Sequence, residues 1–302
     1  MSDQHDEQSG AGKKQKRKRS LKKRLLRMLV VYGAVSLIVF SAIYITGFAE
    51  RAFYWPIRDA FDTPAQYEDV WIETADGKRL HGWFMPAVGV ESGEARPAIL
   101  HAHGNAGNVL YHESFSSFLT ASGFHVLIFD YRGYGRSDKG SMNRDTLSID
   151  TRAALAYTLG RDDVDADRVG VLGVSLGGPF ALDAAVNEPR VEAVATVSTY
   201  SSWRGVARDA AGVASVLIRS GLDPVDLARD LGSRPYLIMH GTADTIVDVK
   251  HAEEIRASAE DSFIDVTLKT YPGDHNTLIQ RDRDAQRDLI AFFEKLLMSG
   301  KN

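Results

Sequence analysis

Between Met28 and Ala49 the chain runs for 22 residues without a charge, MLVVYGAVSLIVFSAIYITGFA. As a helix this stretch is about 33 Å long, matching a hydrocarbon core of about 30 Å. A helix buried in a soluble core would show a polar stripe, and a cleaved signal would end a shorter apolar region at a small-x-small site. Here the run ends Thr46-Gly47-Phe48-Ala49-Glu50, which predicts an uncleaved signal-anchor rather than a cleaved signal or a core helix.

Charge sets the expected orientation. Residues 1–27 hold ten Lys/Arg against three acids, whereas the whole chain has 36 bases and 40 acids, so a basic head precedes an acidic body. Under the positive-inside rule, residues 1–27 are a cytoplasmic tail, 28–49 the transmembrane helix, and the body lies on the extracytoplasmic side. The bases form one run from Lys13, followed by Lys22, Lys23, Arg24 and Arg27. This reads as a topology signal that meets anionic lipid heads, giving a membrane-lipid contact over residues 13–49, and not as a nucleic-acid face. The chain has no cysteine, which excludes disulfides, zinc–cysteine sites, iron–sulfur clusters and a thiol nucleophile.

Residues 50–66 carry Phe53, Tyr54, Trp55 and Pro56. Two readings stand: an aromatic group at the membrane–water interface before a juxtamembrane linker, or a first strand or packing turn of the body. From 67 onward, strands at 69–74 and 79–85 flank Asp76-Gly77 and predict a hairpin. Short, nearly continuous apolar runs follow at 98–102, 125–129, 169–174, 191–197, 236–239 and 264–268. Runs of this kind suit strands buried on both faces of a mostly parallel sheet, with the intervening helices as crossovers. The expected body, 67–302, is a doubly wound α/β domain with an antiparallel beginning.

Ligands of such sheets bind beyond the carboxyl ends of the strands. One end reads Gly173-Val174-Ser175-Leu176-Gly177, a GxSxG turn between an apolar strand and a helix. A serine there is held in a strained turn with its hydroxyl exposed, and the small neighbours let strand and helix approach. Its hydroxyl needs a base, and in this architecture an acid and then a histidine follow in the chain. Three histidines do. His251 lies in a helical pattern and is expected on its surface, His240 precedes Gly241 and shapes that turn, and His275 follows Tyr271-Pro272-Gly273-Asp274 on a loop at the correct sheet edge. His275 is the expected general base. Asp244, three residues after Gly241, is the expected acid; Asp248 is its local rival but is suited to cap the next helix.

Oxyanion donors are expected from the backbone N–H of Leu176, immediately after the nucleophile, and of Asn105 in His103-Gly104-Asn105-Ala106-Gly107-Asn108. The latter loop lacks the Gly-Lys-Ser/Thr ending of a phosphate cradle. His101 and His103 share a strand face, yet no further ligand set with metal spacing is apparent. Neither metal nor cofactor is implied.

Together these motifs resemble the α/β-hydrolases over nearly all of 67–302. The sequence is similar in particular to single-span serine hydrolases carrying HGNAGN, DYRGYG, GxSLGG, HGxxDxxV and GxHN, a group that includes protein depalmitoylases. Here the motifs occupy 103–108, 130–135, 173–178, 240–247 and 273–276. The resemblance implies a Ser175–His275–Asp244 triad cleaving carboxylic esters or thioesters, with serine peptidase, acyltransferase and non-catalytic scaffold as the other classes. The substrate is expected to be a small molecule, a lipid or an acylated partner. Within 130–135, an Arg–Asp pair and a glycine turn are expected to support the oxyanion loop. Asp248 departs from the pattern, which often has Pro or Ser there. Residues 199–235 would be a small apolar lid or, as favoured here, a crossover helix packed on the sheet that leaves the site open.

Overall fold

The computed structural model describes residues 3–90 and 93–298, giving the backbone only for 3–20. The side chains of the basic run from Lys13 to Arg19 therefore lie outside the described residues. Two compact units are present, residues 1–49 and 50–302.

In the first unit, helix α1 (Asp3–Thr46) is continuous. Its section Leu21–Thr46 is long and apolar enough to cross a membrane, and large side chains along it, such as Leu29, Leu37 and Ile38, are exposed. The helix ends three residues before the expected boundary at Ala49. Gly47 follows with φ +62°, the left-handed conformation that commonly closes a helix.

The second unit begins at Glu50, so residues 50–66 do not form a free linker but belong to the body. Glu50 is buried and pairs with Arg144 (2.8 Å) and Arg219 (2.9 Å). A carboxylate withdrawn from water needs such partners. Of the two readings left open for the aromatic group, Tyr54 follows the packing one and is buried, whereas Trp55 is exposed.

The body is one eight-stranded sheet in the order β1-β2-β4-β3-β5-β6-β7-β8. Strands β1 (Glu68–Glu73) and β2 (Arg79–Met85) form the antiparallel hairpin, and β2 is antiparallel to β4 (His125–Phe129). The others, β3 (Arg96–Ala102), β5 (Val164–Val174), β6 (Val191–Val197), β7 (Tyr236–Gly241) and β8 (Val266–Tyr271), are parallel. The burial follows the sequence pattern. Edge strand β1 alternates from Asp69 onward and faces water on one side, whereas β4 and β7 are buried throughout.

The helices of the body are α2 (Val109–His112), α3 (Arg144–Leu159), α4 (Gly177–Asn187), α5 (Trp203–Ala211), α6 (Pro224–Arg229), α7 (Lys250–Glu260), α8 (Leu278–Arg281) and α9 (Arg283–Phe293). Leu289 and Phe293 of α9 join Ile99, Val126, Ile128 and Leu172 of the sheet in one apolar cluster. Each large side chain so buried contributes about 1.5–3 kcal/mol.

Several boundaries differ from the apolar runs, β3 for instance starting at Arg96 rather than 98 and β8 ending at Tyr271 rather than 268. Strand β8 starts at Val266 rather than 264, because the Ile264 N–H is spent on the Ala259 carbonyl at the end of α7 (3.1 Å). Strand β5 begins five residues early, with Val164 paired to Arg96 across a register shift; its charged stretch 165–168 hid it from an apolar pattern. Strand β7 continues to Gly241 through pairing of His240 with Thr270.

The 199–235 segment combines features of both expectations. Helix α6 is a crossover element packed beside α4 and α7. Helix α5 and the 3₁₀ turn Gly212–Leu217 instead form an excursion rooted by buried Trp203, with Val213 and Val216 exposed near its tip.

Candidate active site

Strand β5 delivers Ser175 into a sharp turn with φ +51°. The Ser175 N–H donates to the Val197 carbonyl (2.8 Å) and its own carbonyl accepts from Gly178 (3.0 Å), so the turn is fixed on both sides. A side chain at Gly177 would collide with the Ala102 carbonyl, and a Cβ at Gly173 would lie 2.7 Å from the Gly178 Cα. Glycine at these two positions is therefore a requirement of the turn. Strain at a non-glycine residue of this kind costs of order 1–3 kcal/mol and persists only where the surroundings enforce it.

His275 reaches the same point from the loop after β8. Asp274 Oδ1 accepts the N–H groups of Asn276 (2.9 Å) and Thr277 (2.8 Å), which fixes the backbone around the imidazole. His275 Nε2 lies 2.9 Å from Ser175 Oγ and Nδ1 lies 2.7 Å from Asp244 Oδ2. The structure thus brings Ser175, His275 and Asp244 into one hydrogen-bonded line. Gly241 permits the two supporting loops to touch, since a Cβ there would run into the Gly273 carbonyl.

The Asp244 side chain is fully enclosed. Its other oxygen accepts the N–H groups of Ile246 (2.9 Å) and Val247 (2.8 Å). Burial by itself would raise its pKa, but hydrogen bonds from His240 and His275, aided by the Val247 N–H, win and hold the carboxyl well below its usual range. His240, expected only to shape the turn at Gly241, is also part of this arrangement. Its Nε2 is 2.8 Å from the Val247 carbonyl and 3.3 Å from Asp244 Oδ2, so it also braces the carboxylate. Asp248 is not in the line. Its Oδ1 accepts the Lys250 N–H (2.9 Å) at the start of α7, although the N-cap position itself falls on Val249, one residue later than expected.

The loop after β3 closes the other side. A Cβ at Gly104 would sit 3.6 Å from Ser175 Cβ, which places the loop against the serine. Among the described residues, the backbone N–H groups of Asn105 and Leu176 have no acceptor in the fold. The Asn105 side chain is clamped: Oδ1 accepts the Trp55 N–H (2.9 Å) and the Tyr134 hydroxyl (2.8 Å). Burial raises the Tyr134 pKa, keeping this phenol a donor. Nothing in the local sequence indicated either clamp, because both cross 29 or more positions.

The 130–135 motif supports this loop by a different pairing from a simple Arg–Asp contact within it. Asp130 Oδ1 accepts the Val109 N–H at the start of α2 (2.9 Å), while Arg132 forks onto buried Asp150 (2.6 Å) and onto Asp76 (2.6 Å). Beneath the loop, His103 and His112 stack with ring centroids 4.9 Å apart. Burial pushes His101 down to about 3 and His112 to about 4, and drives His103 well below its ordinary value. These are neutral packing groups. Among the described residues no cluster of three or more His, Asp or Glu is arranged to hold a metal.

One expectation is corrected outright. His251 is buried, not on the surface of α7. Its Nδ1 is 2.7 Å from Ser201 Oγ and its Nε2 is 2.9 Å from Asp209 Oδ2 on α5, a second Ser–His–Asp cluster. Ser201 differs from Ser175 in every respect relevant to attack: it is buried, it lacks a positive φ, and its hydroxyl donates to Glu254 (2.5 Å).

A profile of the alpha/beta hydrolase fold matches residues 97–215. The protein YfhR of Salmonella typhi, itself uncharacterised, is 30% identical over 266 residues, covering 84% of this chain and 90% of that one. Among solved structures, an esterase of Pyrococcus furiosus superposes with a TM-score of 0.69 at 19% identity, over 81% of this chain and 98% of its own. An acylaminoacyl peptidase of Pyrococcus horikoshii gives 0.60 at 17%, over 78% and 42%. The sheet order, the strained turn after β5 and these likenesses agree that the chain belongs to the α/β-hydrolase family.

Proposed function

We propose that the protein is a membrane-anchored serine hydrolase that cleaves carboxylic esters or thioesters. The observation that carries this reading is the line from strained Ser175 through His275 to enclosed Asp244, with distances of 2.9 and 2.7 Å. In the proposed reaction, Ser175 Oγ attacks the acyl carbonyl as His275 Nε2 takes its proton. Asp244, kept ionised by its hydrogen bonds, holds the imidazole tautomer and stabilises the imidazolium. The N–H groups of Asn105 and Leu176 receive the developing oxyanion. The imidazolium then protonates the leaving alcohol or thiol, and water activated by the same histidine releases the acid and frees Ser175.

The apolar helix Leu21–Thr46 supports anchoring, and the Lys/Arg bias of residues 1–27 supports a cytoplasmic amino terminus with the body outside. Membrane lipids would then be met through residues 13–49. An acyl substrate gains about 0.8 kcal/mol per buried CH₂, so kcat/KM should rise with chain length until the groove is filled.

A fluorophosphonate probe tests the nucleophile: labelling of the wild type but not of Ser175→Ala is expected, and labelling that survives the change sinks the assignment. An acyl-length series of p-nitrophenyl esters and thioesters, run beside aminoacyl amides, tests the substrate class. Preference for the amides would move the protein to the peptidases. A reporter fused after Asn302 and active only in the cytoplasm would reverse the topology.

A further inference from the structure

Four exposed apolar side chains that adjoin the proposed oxyanion loop are held on one stitched piece of the body. Trp55 is 64% exposed, Ile57 38%, Leu110 42% and Tyr111 49%. Trp55 and Ile57 belong to the 50–66 segment, whereas Leu110 and Tyr111 lie on α2 just after the loop. Hydrogen bonds join the two. Besides the Trp55–Asn105 bond, the Ile57 N–H donates to the Gly107 carbonyl (3.2 Å), Asn108 Nδ2 donates to Asp59 Oδ1 (2.7 Å), and the Tyr111 hydroxyl donates to Asp59 Oδ2 (2.7 Å). Pro56 and Gly107 form a parallel bridge. The polar atoms of this lip are thus largely engaged with one another, while its rings and aliphatic groups face outward.

Single exposed apolar residues are ordinary on soluble surfaces. The position of these four is not. Eight residues lie between Thr46, the last of the apolar helix, and Trp55, so the two α-carbons are at most about 32 Å apart. In a chain anchored by that helix, this length limits how far Trp55 can lie from the helix's end. Tryptophan and tyrosine are the side chains suited to a headgroup boundary, with an apolar body and a polar edge. The Trp55 indole N–H already donates to the Ala52 carbonyl (2.8 Å), so its ring can enter an apolar layer without stranding a donor.

We propose that Trp55, Ile57, Leu110 and Tyr111 form a lipid-binding lip that enters the headgroup–acyl boundary of the bilayer. The lip presents Ser175 to chain-like esters residing in the leaflet, so that substrate is taken from lipid and not from water. This rests on reading α1 as an anchor and Ser175 as the nucleophile. It adds the surface that meets the membrane and names a leaflet-borne acyl ester as the substrate class.

The test uses the full chain reconstituted in phosphatidylcholine vesicles, with or without bromine on the upper acyl carbons. Tryptophan emission of the wild type should be quenched by the brominated lipid, and Trp55→Phe should lose most of that quenching. Equal quenching in the two proteins would overturn the proposal. Self-association that is lost in Trp55→Phe, with no quenching, would overturn it too and make the lip a contact between copies. In parallel, Leu110→Asp should lower the ratio of kcat/KM for a vesicle-borne long-chain ester to that for p-nitrophenyl acetate by tenfold or more; an unchanged ratio counts against the lip. If the wild type hydrolyses neither ester, the hydrolase reading fails, and quenching still decides whether the lip meets lipid.

Discussion

Among the described residues of the body lie two Ser–His–carboxylate clusters, and they differ in which group is open to solvent. In the first, Ser175 is partly exposed on a strained turn, its histidine faces it through Nε2, and the carboxylate behind is enclosed. In the second, Ser201 is buried and its hydroxyl is committed to Glu254, while Asp209, the carboxylate beyond His251, is one-third exposed. The second cluster ties the excursion carrying α5 to α7. The same three residue types therefore act as a proposed nucleophile system in one place and as a packing clasp in another. What separates them is which group is buried and which is open: a reactive serine needs access and an undistracted hydroxyl, whereas a clasp needs neither.

The comparison breaks most sharply at the serines. Ser175→Ala should lower kcat for ester hydrolysis by about 10⁴ to 10⁶ without unfolding the protein. Ser201→Ala should leave kcat within about threefold and lower stability by about 1–3 kcal/mol, read by urea unfolding, since buried partners are left unmatched. A large loss of kcat at Ser201 would collapse the distinction.

At the acids, Asp244→Asn should cost about 10⁴ in kcat by disturbing the imidazole tautomer. Asp248→Asn, which touches only the start of α7, should cost less than about tenfold. The reverse order would transfer the role to Asp248.

A smaller effect is expected at the clamp on the oxyanion loop. Tyr134→Phe removes one of two donors to Asn105 Oδ1 and should reduce kcat by about three- to tenfold, the worth of one neutral hydrogen bond. A loss confined to KM would place Tyr134 in substrate binding instead of loop positioning.

The smallest effect is a pH dependence of stability. Both carboxylates are held below their ordinary value: Asp209 chiefly by the Lys250 ammonium, and Asp244 because its hydrogen bonds outweigh burial. A carboxyl lowered on folding stabilises the native state above its unfolded pKa, and that contribution is lost as pH falls through the folded one. The stability advantage of wild type over Asp244→Asn should therefore be present at pH 7 and shrink below about pH 4, the unperturbed carboxylate range. Asp209→Asn should show the same sign with less amplitude, because solvent screens a part-exposed pair. An advantage for wild type that grew toward low pH would contradict this account of Asp244.

Much of the architecture was legible because its signals are local. Continuous apolar runs marked the strands buried on both faces, and 125–129 and 191–197 coincide with β4 and β6. Ser175 was visible because strand, turn and helix adjoin in the chain. His251 misled for the converse reason: its helical spacing says nothing about Asp209, 42 positions away, which encloses it from α5. The 50–66 segment lacked a periodic pattern, and its place is set by Glu50 pairing with Arg144, 94 positions on.

By itself, the sequence determined the apolar helix, the order of strands and crossovers, the glycines around the Ser175 turn, and the residues from which a hydrolytic site could be assembled. These follow from hydrophobic period and steric clearance, which a chain segment carries without reference to distant partners. Only the tertiary structure decided that Asp244 and not Asp248 faces His275, that His240 braces that carboxylate, that Ser201 is spent in a clasp, and that Trp55 and Tyr134 grip the same oxygen of Asn105. Each depends on a hydrogen bond or on burial between segments far apart in the chain. Such contacts exist only once the sheet has brought its loops to one edge.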